Sequence, residues 1–184
     1  MSILAALLAL LALVVPANAT QPAVRLDPPD PPPTIEATVN ALPYSADHAE
    51  PAMLAFALVA HGQGMTLAWI ESWQVAVDDI MHYESQYCWN VRGGARFAGN
   101  GAGCAIARQG TGSDAGFGQV TAILRGDTCE MVNVCSTAET VATPFASMSA
   151  LVAVLRRYRV APWCYSAWAR SYHRVACANP GLAA

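Results

Sequence analysis

A glycine-dense stretch at residues 93–118, GGARFAGNGAGCAIARQGTGSDAGFG, constrains the fold more than any other part of this chain. Glycine destabilises helix interiors and permits backbone conformations that other residues avoid, so the stretch predicts a loop or short hairpins rather than a helix. A phosphate-binding loop is not favoured, because no Lys-Ser/Thr pair follows the glycines and no parallel-strand pattern precedes them. The predicted helices lie in the segments on either side of it.

The patterns of those flanking segments predict helices. Residues 45–62 predict a helix with Ser45 as its N-cap, and Thr66 caps a second helix, LAWIESWQVAVDDIMHYES. After the glycines, Thr143 and Pro144 open a third helix, with a capping residue followed by proline at the first helical position. A last helix is predicted from PWCYSAWARSYHRV. Strand patterns are few, so the predicted class is mainly α.

The beginning of the chain predicts export. Residues 1–19, MSILAALLALLALVVPANA, form an apolar run that ends in small residues, as in a signal peptide cleaved before Thr20. The run is short for a membrane span, and an uncleaved anchor is the alternative because no Lys or Arg precedes it. Residues 20–44 are rich in proline and predict an extended tether, which leaves a folded domain at 45–184. The expected location is the periplasm or the outside of the cell.

The six cysteines all lie in the predicted domain, and an even number behind an export signal favours disulfides. Proximity in the sequence favours the pairs Cys129 with Cys135, Cys164 with Cys177, and Cys88 with Cys104, although other pairings stay open. No C-x-x-C pair is present and the four histidines show no ligand spacing, so no metal site is predicted. The net charge of −3 does not suggest nucleic-acid binding.

Glu84 lies in line with the apolar residues of the second predicted helix. The helical period places Trp73, Val77 and Met81 on the core-facing side and Glu84 on the same stripe. Keeping an acid ionised there costs several kcal/mol, so it pairs with a base or stays protonated, and a protonated carboxyl is a general acid. The structural alternatives are a buried hydrogen-bond partner for a backbone group or an arginine, and a helix phase that is off by one residue. Glu71 provides a contrast, because its face of the helix is polar.

Three motifs then follow one another along the chain. They are Glu84-Ser85 at a helix end, GFGQ from Gly116 to Gln119, and Tyr165 in WCYSAW. In order and character they resemble the lysozyme-like lytic transglycosylases of the soluble-lytic type, which carry Glu-Ser, Gly-x-x-Gln and Ala-Tyr-Asn motifs on such elements. Each motif alone is weakly specific, and the resemblance depends on their order behind an export signal.

The resemblance covers residues 81–175, which is most of the predicted domain. It departs from the family at Cys164 and Ser166, where the family has alanine and asparagine. The insertion between the first two motifs is also long, and it holds two cysteines.

The resemblance implies a lysozyme-like helical domain of the goose and soluble-lytic type that needs no cofactor. Glu84 would be the catalytic acid/base, with Ser85 as its hydrogen-bonding neighbour. Gln119 would line the sugar cleft, Gly116 would let the backbone approach the ligand, and Tyr165 would direct its hydroxyl toward the acid. The structural alternatives are a surface polar residue at Gln119 and ordinary core packing at Tyr165.

The implied activity is that of an exported peptidoglycan lytic transglycosylase. It would cleave the β-1,4 bond between N-acetylmuramic acid and N-acetylglucosamine and leave a 1,6-anhydro end. Its partners would be the glycan strands of the cell wall and, beyond them, secretion or conjugation machinery of the cell envelope. The alternative from another class is a non-catalytic, secreted, disulfide-stapled glycan- or protein-binding module with a degenerate lysozyme-like fold.

A muramidase-type hydrolase is the second enzymatic choice. It needs a second acid at roughly 5 to 9.5 Å from the first. Asp78 and Asp79 lie about one and a half helical turns before Glu84 and are expected to point away from its face. Asp114 is the only loop acid beside the Gly-x-x-Gln motif. A lone acid suffices for a transglycosylase, so the sequence favours that reaction.

Overall fold

The computed structural model describes residues 32–97 and 103–157. Within these ranges the chain is mainly helical, with one antiparallel pair of short strands. The helices are α1 (Ile35–Asn40), α2 (Ala49–Gly62), α3 (Leu67–Ser85), α4 (Ala122–Val132), α5 (Thr137–Thr140) and α6 (Pro144–Arg157), and the strands are β1 (Arg96–Phe97) and β2 (Ile106–Arg108). A mainly helical chain with a small hairpin in its glycine-rich region is therefore confirmed.

The central element is α6. It begins as predicted, with the Thr143 hydroxyl accepting a hydrogen bond from Ala146 N at 3.1 Å and with Pro144 as the first helical residue. Residues 147–155 are all buried, which is typical of a helix surrounded by other elements rather than one on a surface. It packs against α1, α2, α4 and α5.

The main core lies between α2, α3 and α6. Phe56 of α2, Trp73 and Met81 of α3, and Met148 of α6 belong to one cluster of buried side chains. Phe117, from the glycine-dense stretch, is fully buried in the same cluster. Burying such a side chain contributes roughly 1.5–3 kcal/mol, so Phe117 ties that stretch firmly to the helical core.

The start of α3 is also as predicted, while that of α2 is not. Thr66 Oγ1 accepts from Trp69 N at 3.2 Å and caps α3. The predicted N-cap at Ser45 is wrong, because α2 begins at Ala49. The chain first makes a turn in which His48 N donates to Ser45 O at 3.2 Å, with Asp47 in a left-handed conformation at φ +65°.

The folded unit begins earlier than the predicted boundary at residue 45. Helix α1 is capped by Thr34, whose side chain accepts from Ala37 N at 3.1 Å. Val39 is completely buried in the core, and its carbonyl accepts from the Tyr44 hydroxyl at 2.8 Å. These contacts place α1 in the domain, so the compact unit starts at Pro33 and includes residues that the sequence assigned to the proline-rich segment.

Two of the three predicted disulfides are confirmed, Cys88 with Cys104 and Cys129 with Cys135. The predicted pair of Cys164 and Cys177 lies outside the described residues, as do the last predicted helix and the predicted signal peptide at 1–19. Among the helices of the described ranges, none is both long and apolar enough to cross a membrane.

Candidate functional site

Glu84 and Ser85 occupy the last turn of α3. Ser85 is buried, and its hydroxyl donates to the Met81 carbonyl at 3.1 Å. Glu84 is only half-buried, so the core-facing position predicted for it belongs to Ser85, which lies one turn after Met81 on the buried stripe. Glu84 sits at the edge of that stripe, whereas Glu71 is exposed as predicted.

The chain leaves α3 through two successive left-handed residues. Gln86 has φ +50° and Tyr87 has φ +62°, conformations that each cost a non-glycine residue roughly 1–3 kcal/mol. Tyr87 N donates to Met81 O at 3.1 Å, and the buried Tyr87 hydroxyl donates to Asp78 Oδ1 at 2.9 Å. Burial and the bond to Asp78 raise the pKa of Tyr87 well above its ordinary value. The Cys88–Cys104 disulfide then holds this bend.

The Gly-x-x-Gln motif forms a tight turn at 116–119. Ala115 and Val120 close it by exchanging backbone hydrogen bonds of 3.3 and 2.9 Å. Gly116 has φ +77°, and a Cβ there would overlap the Ser147 hydroxyl of α6, which accepts from Phe117 N at 2.9 Å. Close packing on α6 therefore requires the glycine, and its approach to a sugar stays a prediction.

This turn docks on the segment that directly follows α3. Gly116 N donates to Val91 O at 2.8 Å, and Gln119 Nε2 donates to the same oxygen at 3.0 Å. Gln119 Nε2 also donates to Gly116 O at 3.1 Å. Two acceptors fix the orientation of the amide and occupy its hydrogens, so Oε1 is the atom left to bind a solute. The structure thus brings Gly116 and Gln119 onto the segment that leads away from Glu84.

Asp114 lies beside Gln119. Gly93 N donates to Asp114 O at 3.0 Å. The position that a Cβ would take on Gly93 is 3.7 Å from both Asp114 Cβ and Gln119 Oε1. Asp114 and Gln119 therefore both lie next to the backbone of Gly93, which carries no side chain.

Arg125 is a further residue of this region, and sequence reasoning missed it. Its side chain is only 1% exposed, and the guanidinium donates to Val120 O through Nη1. Through Nη2 it donates to Ser113 O at 2.6 Å and to Thr137 Oγ1 at 2.7 Å. Burial lowers the pKa of Arg125, and the nearby Asp114 carboxylate opposes that change. An arginine on a helix normally indicates an exposed face, so no signal in the sequence marks it as buried.

The remaining predictions concern Tyr165 and metals. Tyr165 lies outside the described residues. Within residues 32–97 and 103–157, no group of three or more His, Cys, Asp or Glu side chains could hold a metal ion.

Comparisons of the chain with protein-family models, with curated proteins and with solved structures found no match. Function is therefore inferred from the geometry of the site itself.

Proposed function

We propose that this chain is an exported peptidoglycan lytic transglycosylase with a lysozyme-like fold. One observation carries the proposal: the turn at 116–119 is hydrogen-bonded through Gly116 and Gln119 to Val91, in the segment that directly follows Glu84 and Ser85. The long insertion separates these two motifs in the sequence. The docking of the turn on the segment that continues from the first motif supports a single site, because an enzyme of this class needs its acid and its sugar-binding glutamine at one cleft.

Glu84 is the proton shuttle in this proposal. Its carboxyl protonates the glycosidic oxygen O4 of N-acetylglucosamine as the bond from C1 of N-acetylmuramic acid breaks. The carboxylate then takes the proton from the 6-hydroxyl of the muramic acid, whose oxygen bonds to C1 and closes the 1,6-anhydro ring. The acid returns to its starting state and no water is consumed. Glu84 is half-buried at a helix end, a position that suits a carboxyl which packs against the core and also contacts a sugar.

Gln119 acts as a fixed acceptor. Because Val91 O and Gly116 O hold its amide nitrogen, Oε1 can accept from a sugar hydroxyl or from the N–H of an N-acetyl group. Its left-handed backbone at φ +46° and the two left-handed residues after Ser85 store strain on both sides of the site. Such strain clusters where side chains are preorganised for function, which supports the assignment.

The proposal is tested by the release of muropeptides from purified peptidoglycan. Glu84→Gln should lose at least about a hundredfold of the rate, the usual scale for a general acid. The matched control is Glu71→Gln, on an exposed position of the same helix, which should keep the wild-type rate. Equal losses in both variants would contradict the role of Glu84. Wild-type protein that binds peptidoglycan without releasing fragments would instead identify a non-catalytic binding module.

A further inference from the structure

Arg125 is a buried cation whose nearest partners are neutral. Among the described residues no carboxylate lies at ion-pair distance from its guanidinium. Removing a charge from water costs several kcal/mol unless its donors are well bonded, and an apolar side chain of similar volume often stabilises a buried site equally well. Stability alone therefore gives little reason for an arginine in α4 at this position.

The hydrogen bonds of Arg125 give a more specific reason. They reach Ser113 O on the chain before the 116–119 turn and Val120 O on the chain after it. A planar guanidinium can hold two acceptors in a fixed relation, which the single ammonium group of lysine does not do. Arg125 thus fixes the distance between the two ends of the turn that carries Gln119.

Thr137 completes this arrangement. Its hydroxyl accepts from Arg125 Nη2 at 2.7 Å and donates to Ser113 O at 3.1 Å, so three residues form a closed set of hydrogen bonds. Thr137 is the first residue of α5, and the Cys129–Cys135 disulfide links the end of α4 to the chain just before α5. The guanidinium therefore connects the turn to a braced pair of helices.

We propose that Arg125 is a positioning residue that holds the 116–119 turn so that Gln119 Oε1 meets the glycan at a fixed place. The inference rests on the proposed function, and it adds a residue that acts through Gln119 rather than on the sugar. Glu84 and its surroundings on α3 are not part of the clamp.

The first test is amide hydrogen exchange on the full chain. Arg125→Met, which keeps an unbranched apolar stem but has no donors, should accelerate exchange at Phe117, Gln119 and Val120 at least about tenfold while residues 147–155 of α6 stay protected. The matched control is Arg156→Met, at an exposed arginine of α6, which should leave the pattern unchanged. Unchanged exchange in Arg125→Met would overturn the clamp.

The second test separates positioning from general stability. With soluble glycan strands, Arg125→Met should raise KM about tenfold and change kcat less, because one hydrogen bond to the sugar is worth about a factor of ten. In a Gln119→Ala background the same substitution should raise KM no further, since it acts through that residue. Arg125→Lys should resemble Arg125→Met. Additive effects on KM, or a wild-type KM in the folded Arg125→Met protein, would overturn the proposal.

A second pair of variants and a second measurement cover the cases in which Arg125→Met does not fold or wild-type protein shows no turnover. If Arg125→Met does not fold, Thr137→Val removes the hydroxyl that bonds Ser113 O, and Thr137→Ser restores it. The valine variant should show the raised KM and the serine variant should not. If wild-type protein shows no turnover, the proposed reaction fails, and retention on insoluble peptidoglycan is measured instead. Equal loss of retention in Arg125→Met and Gln119→Ala would support the clamp, while full retention in Arg125→Met, or no retention of wild type, would overturn it.

Discussion

Substituting Gly116 by alanine tests the position of the candidate site against the core. A left-handed backbone, at φ +77°, costs alanine about 1–2 kcal/mol relative to glycine. The new Cβ would overlap Ser147 Oγ and lie 3.0 Å from Thr140 Cγ2, and overpacking of this kind costs about 1–3 kcal/mol. Displacing Ser147 also removes the acceptor of Phe117 N, which adds about 1 kcal/mol or more.

We therefore expect Gly116→Ala to lower the free energy of unfolding by about 4 kcal/mol, a large part of what a domain of this size has. Urea unfolding followed by tryptophan fluorescence measures this change in free energy, because Trp73 is 3% exposed in the core and its fluorescence reports on the unfolding of the core. The matched control is Gly64→Ala, since Gly64 also has a left-handed backbone, at φ +82°, but has no atom within 4 Å of the added carbon.

The control should lose only about 1–2 kcal/mol, which is the backbone cost alone. Ser147→Ala removes the oxygen that the new Cβ would overlap. It should therefore lower the free energy of unfolding less in the Gly116→Ala background than in wild type. Similar losses in Gly116→Ala and Gly64→Ala would refute the packing of the turn on α6, and with it the position of Gln119.

Two further predictions concern the bridges and one acid. Alkylation of the denatured, unreduced protein should label none of the six cysteines, since two pairs are bridged and sequence proximity predicts the third; labelling of two or more would contradict this. Hydrogen bonds from the backbone N–H groups of Cys135 and Ser136 hold the pKa of Glu139 below its ordinary value. Because the folded pKa is the lower one, the stabilisation is present above the unfolded pKa, about 4.3, and is lost as the pH falls through the folded pKa. Glu139→Gln should thus lower the urea midpoint at neutral pH but not at strongly acidic pH. A difference in midpoint between variant and wild type that is the same at both pH values would contradict this role of Glu139.

The elements that the sequence predicts well are those whose local signals agree with their packing. Thr66 caps α3 and its apolar stripe is buried, and Thr143 with Pro144 opens α6. In both helices the cap, the period and the burial indicate the same start and face. The glycine-dense stretch was similarly informative, because the conformations that glycine permits are those of the turn at 116–119.

Helices α1 and α4 could not be predicted in this way. The six residues of α1 follow a proline-rich stretch, and what holds them is the burial of Val39 against distant parts of the chain. Helix α4 contains Gly126 and ends near a disulfide, which together are typical of a loop, and it is held by contacts with α6. Tertiary packing decides both cases, and a single sequence does not show it.

The candidate site was predictable in its motifs but not in its connections. Glu84, Ser85, Gly116 and Gln119 follow from the sequence pattern. The sequence pattern does not show that Ser85 is buried and Glu84 only half-buried, because the apolar period does not fix the phase of a helix to one residue. Nor does the sequence indicate that Val91 O holds the Gly-x-x-Gln turn, since backbone acceptors have no residue signature.

The measurement that tests the central claim most directly is the mass of the fragments released from purified peptidoglycan in oxygen-18 water. Intramolecular attack by the 6-hydroxyl consumes no water, so the account predicts 1,6-anhydro fragments, lighter by one water than muramidase products and free of the label. Glu84→Gln should abolish them and Glu71→Gln should not. Fragments with ordinary reducing ends that carry the heavy oxygen would contradict the transglycosylase and make the enzyme a hydrolase, with Asp114, beside Gln119, as the second acid to substitute.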